Sequence, residues 1–132
     1  MSLVALLAVL LMAHGLVHVS LNTVPYASTT PFWPSFWRPE PGHSWLLQGV
    51  GLGTETNRLV GGVLLIIATI GFLLAGLALG GWIVPHGWWP SLGLASTAAS
   101  LLLFLLFPHP WLVVGIALSL GTVWAIRAGW PT

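Results

Sequence analysis

Long apolar runs, separated by short polar segments, dominate this sequence. Three apolar stretches lie between residues 59 and 128, and a fourth runs from Ser2 to Val19. A helix needs about 20 apolar residues to cross the roughly 30 Å of hydrocarbon in a bilayer. Each stretch is long enough for one crossing, so the pattern predicts an all-α fold, an integral membrane four-helix bundle.

Polar clusters, prolines and glycines set the ends of the predicted helices. The first helix runs from about Ser2 to Leu21, and Pro25 with the polar residues before it prevents further extension. The second begins near Thr54, a candidate N-cap, with Glu55 placed favourably in the first turn. The predicted helices span residues 2–21, 54–81, 88–107 and 111–128 of a single transmembrane domain that covers residues 1–132.

The segment between the first two predicted helices, residues 22–53, has a different composition. It contains Pro25, Pro31, Pro34, Pro39 and Pro41, together with Phe32, Trp33, Phe36, Trp37 and Trp45. The prolines exclude a helical span, and tryptophan prefers the headgroup zone of a bilayer. We therefore expect a long interfacial loop, rich in aromatic residues and proline, with a short helix around residues 44–50.

Composition excludes several classes of protein. Only 4% of the residues are charged and 57% are hydrophobic, whereas about a quarter of the residues in a soluble domain are charged. This composition excludes a soluble fold. The net charge of +1 provides no basic patch for nucleic acid. Because the chain has no cysteine, disulfides, thiolate chemistry and Fe–S ligation are excluded.

Four crossings of the bilayer would place both termini on one side, together with the turn at residues 82–89. The aromatic loop and the turn at residues 108–110 fall on the other side. Trp82, Trp88, Trp89, Trp124 and Trp130 would lie at one interface, and Trp33, Trp37, Trp45 and Trp111 at the other. Because tryptophan is enriched at both membrane interfaces, these two groups support the predicted topology.

Two signals for the orientation in the membrane disagree. Arg127 marks the terminal side, whereas Arg38 and Arg58 mark the loop side, so the positive-inside rule slightly favours a cytoplasmic loop. A long aromatic and proline-rich loop is more typical of an exterior cap. We expect a multi-pass protein of the cell membrane with both termini in the cytoplasm.

Small residues indicate where helices approach closely. Gly76 and Gly80 form a GxxxG pattern in the second predicted helix, and Ser96 and Ser100 repeat the spacing in the third. Small residues at this spacing allow two backbones to come close in lipid. The contact is either packing within the bundle, which we favour, or an interface with a second copy or another membrane subunit.

The first predicted helix carries His14 and His18 in the sequence HGLVH. Residues four apart lie on one helix face, about 6 Å apart, so the two rings can chelate one metal ion. The sequence is not an HExxH motif, because Gly15 and Val17 supply no general base. A polar residue within a membrane span is costly, and it indicates a function or a partner.

The predicted topology gathers further polar residues on the loop side. His18 lies there, His14 is one turn deeper, and His86 alone among the histidines faces the opposite side. The candidate ligand-binding residues are His14, His18, His43, His109, Glu40 and Arg58, and the candidate metal ligands are His14, His18 and His109. Loop polarity alone explains the charged residues of this set, but it explains His14 less well.

The candidate residues are also expected to make specific contacts. Arg58, in the first turn of the second helix, should pair with Glu55 or Glu40. His14 and His18 should point into the bundle, because an imidazole that faces hydrocarbon without a partner loses hydrogen bonds worth a few kcal/mol. The aromatic loop should close over them, so that the principal pocket lies at the loop-side end.

Three features of the sequence occur together: HGLVH near the end of the first helix, a Trp-Leu-Leu sequence ahead of the second, and Trp88-Trp89 at the start of the third. This layout resembles a group of small bacterial four-span membrane proteins whose first helix carries an HGxxH-type motif. The resemblance covers the layout of the chain, and its distinctive positions are His14 and His18. It implies the four-span architecture and a role for these histidines, but no substrate.

The sequence contains no complete catalytic signature, so the leading hypothesis is a non-enzymatic membrane protein, an accessory or small-ligand-binding subunit of a membrane complex. One alternative is a haem- or metal-binding membrane oxidoreductase that uses the loop-side histidines. Haem with two histidine ligands would use His18 and His109 rather than the neighbours His14 and His18. Another alternative is a lipid or quinone pocket under the aromatic loop.

Overall fold

The computed structural model describes residues 2–23, 44–108 and 112–130. Within these ranges all regular structure is helical, which confirms the predicted all-α class for the described part of the chain. The α-helices are α1 (Leu3–Thr23), α2 (Trp45–Gly49), α3 (Thr54–Leu79), α4 (Trp89–Leu106) and α5 (Leu112–Arg127), and a 3-10 turn spans His86–Trp88.

The short helix predicted inside the interfacial loop is present as α2. The Ser44 hydroxyl caps it by accepting a hydrogen bond from the backbone N–H of Leu47 at 3.3 Å. The prediction that Thr54 caps the next helix is wrong, because Gly53 occupies the N-cap position and Thr54 is already helical. Residues 24–43 of the predicted loop lie outside the described residues.

α3 is the central helix of the bundle, and it packs extensively against α1 and α4. Gly76 of α3 lies against Ala8 of α1, whereas Gly15 of α1 lies against Thr69 of α3. Later residues of one helix therefore meet earlier residues of the other. α1 and α3 are antiparallel.

The contact between α3 and α4 is antiparallel as well. Gly61 near the start of α3 lies against Phe107, just after the end of α4, and Gly71 lies against Ser96 in the middle of α4. α2 joins the same end of the bundle, where the indole N–H of Trp45 donates a 2.7 Å hydrogen bond to the carbonyl oxygen of Leu105. That carbonyl is among the last four of α4, which have no partner within their own helix.

α5 completes the bundle by packing against α4, and it makes few contacts with α1. Gly93 lies against Thr122, and Ser100 lies beside Ser119, so these helices are also antiparallel. The four long helices thus run alternately up and down. α2 and the start of α3 mark one end, here named the loop end, and the start of α1 and the end of α5 mark the terminal end.

Glycines permit the close approach of α1 and α3. A Cβ atom at Gly76 would lie 2.6 Å from the Ala8 carbonyl oxygen, and one at Gly15 would lie 2.9 Å from the Thr69 carbonyl oxygen. Gly76 therefore serves the internal packing that its GxxxG pattern allows. Gly80 faces Trp82 of the following turn, so a second copy that used these two glycines would have to displace existing contacts.

Apolar side chains form the core at the terminal end. The buried cluster contains Ala8, Leu11, Phe72, Ala78, Leu79 and Trp89. Trp89 is only 6% exposed, because its ring packs into this cluster at the start of α4; its predicted depth at the membrane interface stays a prediction. Trp82, Trp88 and Trp124 are more than half exposed.

The described helices expose mainly aliphatic side chains and bury several polar ones. Their exposed side chains are largely aliphatic, as at Leu59, Ile66 and Val114. Their buried polar side chains are His14, His18, Asn57, Thr69, Ser96, Thr97, Ser100, Ser119 and Thr122. Two helical segments, Thr54–Leu79 and His86–Leu106, are long and apolar enough to cross a membrane, and the apolar segments Leu3–Val19 and Val113–Arg127 are shorter.

Candidate functional site

His14 and His18 lie on one face of α1 and point into the bundle, as predicted. Their exposed fractions are 5% and 1%, and the ring centroids are 4.9 Å apart with the ring planes at 60°. Gly15 lies between them in the sequence and lets α1 approach α3, because a side chain there would meet Phe72 and the Thr69 carbonyl. The sequence HGLVH thus combines two inward imidazoles with a close helix contact.

Phe72 of α3 contacts both imidazoles. It meets His14 edge to face, with centroids 4.5 Å apart, and it lies nearly parallel to His18 at 6.1 Å. Both arrangements are favourable for aromatic rings, which avoid direct face-to-face stacking. Because Phe72 is fully buried, it fixes the positions of the two histidine rings.

His18 is connected to α4 and α5 through two serines. Its Nε2 atom lies 3.2 Å from the Ser100 hydroxyl oxygen, and the Ser119 hydroxyl donates a longer hydrogen bond of 3.5 Å to Ser100. All three residues are at least 95% buried. This chain of polar groups crosses the interior of the bundle and links three helices.

α5 closes the site next to His14. A Cβ atom at Gly115 would lie 3.0 Å from Cε1 of the His14 ring, which is tighter than ordinary carbon contacts of about 3.5–4.0 Å. The glycine therefore leaves room for the imidazole at this level of the bundle. We name His14, His18, Phe72, Ser100, Ser119 and Gly115 the histidine cluster.

Several polar atoms inside the bundle have no hydrogen-bond partner among the described residues. They are Nε2 of His14, Nδ1 of His18, Oδ1 of Asn57 and the hydroxyl oxygens of Thr69 and Thr97. An unsatisfied buried polar group costs about 1–3 kcal/mol, and most such groups in folded proteins are paired. Two of these five atoms are imidazole nitrogens from adjacent turns of α1, so the histidine cluster has binding capacity that the described residues do not use.

Arg58 forms the ion pair that the sequence predicts, although at the surface. Its Nη1 atom lies 3.6 Å from Oε1 of Glu55, and the two side chains are 61% and 91% exposed. Exposed pairs contribute little to stability. The alternative partner, Glu40, lies outside the described residues.

His43 and His109 also lie outside the described residues, so their predicted convergence on the loop end stays a prediction. The described residues contain no group of three or more histidine or carboxylate side chains that could hold a metal ion. Of the predicted metal ligands, the structure therefore brings together His14 and His18. His86 lies near the terminal end, where Nδ1 is 3.1 Å from the Ala78 carbonyl oxygen.

A separate groove of about 300 Å³ lies on the surface between α3 and α4. It is lined by Ile66, Ile67, Ile70, Gly71, Leu74, Leu92, Ala95 and Ser96. None of these was a predicted site residue. The predicted pocket beneath the aromatic loop depends on residues 24–43, which the structure does not describe.

The sequence did not identify Phe72, Ser119 or Gly115 as members of the site, and it identified Ser100 only as a small residue for packing. One available signal was the position of Ser119 near the middle of an apolar span, where a hydroxyl needs a partner. Phe72 and Gly115 carry no such signal, because both residue types are common in apolar helices.

No protein-family model matches the chain, and no match is found among curated proteins or solved structures. The resemblance to small four-span proteins with an HGxxH-type motif therefore stays a prediction. The function has to be inferred from the geometry of the histidine cluster.

Proposed function

We propose that this chain is a multi-pass membrane protein in which α1, α3, α4 and α5 each cross the bilayer and both termini lie on one side. The aliphatic exterior of the bundle and the polar side chains buried inside it support this proposal. In water the exposed leucines and isoleucines would be unfavourable, whereas lipid tails accommodate them. α1 has 21 residues, which at about 1.5 Å per residue gives roughly 30 Å, the thickness of the hydrocarbon core.

Within the membrane, the chain acts as a non-enzymatic accessory subunit that binds a small ligand at the histidine cluster. The observation that carries this proposal is the pair of unpartnered imidazole nitrogens, Nε2 of His14 and Nδ1 of His18, both buried in the bundle. Ionisable residues inside membrane proteins are costly and usually mark functional sites. A ligand that contacts both nitrogens would remove the cost of leaving them unpaired.

Native mass spectrometry of the protein released from mild detergent tests this function. We expect a bound small molecule, a defined partner subunit, or both, on the wild-type chain. The double variant His14→Gln/His18→Gln should lose the small molecule, whereas the control His86→Gln should keep it. A discrete lone chain with no bound mass in several mild detergents would contradict the proposal.

A haem- or metal-binding membrane oxidoreductase is the second candidate. The same two nitrogens favour it, because neutral imidazole is a common ligand of haem iron and of transition metals. Haem held by two histidines would use His18 with His109, which follows α4 in the sequence. A Soret band in the optical spectrum of the purified protein, lost in His18→Gln, would rank this candidate first, and no band after incubation with haem would reject the haem form.

A lipid- or quinone-binding protein is the third candidate. The groove between α3 and α4 favours it, since a volume of about 300 Å³ lies at the lower limit of small-molecule sites and its walls are mainly aliphatic. Ser96 also lines it, with its hydroxyl bonded to the Leu92 carbonyl oxygen of its own helix at 2.7 Å. Extraction of the purified protein with organic solvent should then recover one enriched lipid or quinone, and a composition equal to that of the bulk membrane would reject this candidate.

A further inference from the structure

We propose that the histidine cluster binds an uncharged carbonyl oxygen of a membrane-soluble molecule, which accepts a hydrogen bond from the Nδ1–H group of His18. This inference rests on the proposed ligand-binding function and names the class of ligand. Nδ1 of His18 has no hydrogen-bond partner among the described residues, and the residue is only 1% exposed. The direction of the neighbouring hydrogen bonds indicates which ring nitrogen carries the proton.

The hydrogen bonds at Ser100 run toward His18. The Ser119 hydroxyl donates to the Ser100 oxygen at 3.5 Å, and the same oxygen lies 3.2 Å from Nε2 of His18. A serine hydroxyl has one proton to donate and can accept at the same time. Because Ser100 accepts from Ser119, its own proton is available for Nε2 of His18.

The reverse direction is less favourable. If Nε2 of His18 donated to Ser100 and Ser100 donated to Ser119, the Ser119 proton would lose the acceptor that it has in Ser100. A buried donor without an acceptor is costly. With Nε2 as the acceptor, the neutral ring carries its proton on Nδ1, so the unpaired nitrogen of His18 is a donor. Ser100 and Ser119 are therefore positioning residues that set the tautomer.

A donor at Nδ1 defines the chemistry of the ligand. A metal ion binds to a lone pair, which a protonated ring nitrogen lacks, so this tautomer disfavours a metal at Nδ1. The described charged side chains, Glu55, Arg58 and Arg127, are exposed near the helix ends, and a buried anion without a partner is costly. The acceptor is therefore uncharged. A carbonyl oxygen, in a quinone or in the ester group of a lipid, has this property.

The neighbouring rings suit a ligand with more than one polar atom. Nε2 of His14 is a second buried nitrogen without a partner among the described residues, one turn of α1 away from His18. The two nitrogens need not face the same atom, since a quinone has two carbonyl oxygens and a diacyl lipid has two ester groups. Phe72 lies against both histidine rings and adds an apolar wall.

The packing of α5 provides a route to the cluster from the lipid. Among the described residues, α5 contacts mainly α4 and makes few contacts with α1. Gly115 of α5 lies directly beside the His14 ring. A small separation of α1 and α5 therefore breaks few contacts and opens the cluster to the hydrocarbon of the bilayer. A molecule dissolved in the membrane can enter from the side.

The tautomer of His18 is measured by ¹⁵N NMR of the full chain, labelled in the histidine rings and placed in lipid nanodiscs. We expect a neutral ring with its proton on Nδ1. Ser100→Ala removes the donor to Nε2, so a second population with the proton on Nε2 should appear, whereas the control Ser91→Ala should leave the spectrum unchanged. A wild-type His18 with its proton on Nε2, or with both nitrogens protonated, overturns the inference.

Two kinds of nanodisc identify the source of the carbonyl. Protein stripped of bound molecules is placed in ether-linked phospholipids, which have no ester carbonyl, and gives the reference resonance of Nδ1–H. A change of this resonance in ester-linked phospholipids identifies a lipid ester. A change after addition of a short-chain alkyl benzoquinone to the ether-linked discs identifies a quinone. No change in either case, or an equal change with an alkylbenzene of the same chain, overturns the inference.

A matched pair of variants tests the donor itself. His18→Phe keeps an aromatic ring and removes the N–H, so the affinity for whichever carbonyl probe moves the resonance should fall by about 10–100-fold. His86→Phe changes a histidine near the terminal end and should keep the affinity. Equal losses in the two variants overturn the inference. Circular dichroism shows whether each variant is folded, and if His18→Phe is not, the wild-type Nδ1–H resonance decides.

The same measurements separate this inference from the proposed function. A protein that retains a small molecule through His14 and His18, but whose His18 carries its proton on Nε2, rejects the carbonyl ligand and leaves the proposed function intact. A protein that binds no small molecule at the cluster rejects both.

Discussion

His18 and Ser100 are 82 positions apart in the chain, and their side chains meet at 3.2 Å across the interior of the bundle. Their helices, α1 and α4, do not pack directly against each other, because α3 and α5 lie between them. The contact therefore spans the diagonal of the bundle. It connects a polar residue of α1 to the serine pair of α4 and α5 at a level where the surrounding side chains are mainly apolar.

Loss of this contact should destabilise the bundle. Ser100→Ala leaves Nε2 of His18 without a partner, so we expect the free energy of unfolding to fall by about 1–3 kcal/mol. Unfolding in mixed micelles, followed by circular dichroism, measures the change. The matched control is Ser91→Ala, which alters an exposed serine of the same helix and should change stability by less than about 0.5 kcal/mol; equal effects of the two variants would argue against the buried contact.

Because α1 and α3 approach closely at Gly76, the stability of the bundle should depend strongly on this glycine. Gly76→Ala would place a methyl group 2.6 Å from the Ala8 carbonyl oxygen, and overpacking of this kind costs about 1–3 kcal/mol. Gly62→Ala is the control, because it lies in the same helix with open space around it. It should leave stability unchanged or raise it by up to about 1 kcal/mol, since alanine favours helix over glycine. The prediction fails if both variants lower stability equally.

The attachment of α2 depends on one indole. Trp45→Phe removes the N–H that donates to the Leu105 carbonyl oxygen while it keeps most of the apolar surface. We expect faster hydrogen exchange in residues 45–49 and a stability loss of about 1 kcal/mol. Trp124→Phe changes an exposed tryptophan of α5 and should not alter exchange in α2, and unchanged exchange in Trp45→Phe would show that α2 is held by other contacts.

The four-span topology can be tested with single cysteines, because the chain has none of its own. Ser2→Cys, Gly87→Cys and Ala128→Cys should react alike with an impermeant maleimide, and only after the cells are permeabilised. Gly49→Cys should react in intact cells. If residue 2 and residue 128 label from opposite sides, the number of crossings is odd and the proposed topology is wrong.

Local signals were sufficient to predict most helices and poor at predicting which residues face each other. The proline and aromatic pattern indicated the loop within which the short helix α2 was expected, and the long apolar runs indicated α1, α3, α4 and α5. These helices are apolar on nearly every side, so no amphipathic stripe shows which face is buried. Thr54 fits the N-cap preference, but Gly53 occupies that position because the chain enters α3 one residue earlier.

The histidine cluster could be predicted only in part, because the sequence does not show which faces of the helices meet. His14 and His18 are recognisable because an imidazole inside a span needs a partner. Phe72 and Ser100 belong to other helices, and their rotation toward α1 depends on the glycine contacts at Gly15 and Gly71. Those contacts are set by packing between helices and have no unique sequence pattern.

The most direct test of ligand binding at the histidine cluster is ¹⁵N NMR of the histidine side chains in lipid bilayers, before and after bound small molecules are stripped from the protein. Ring nitrogens are sensitive to protonation, hydrogen bonding and metal coordination. We predict that the resonances of Nε2 of His14 and Nδ1 of His18 move on stripping, whereas those of His86 stay in place. Unchanged resonances for both His14 and His18, in a protein that remains folded, would contradict a ligand at the cluster.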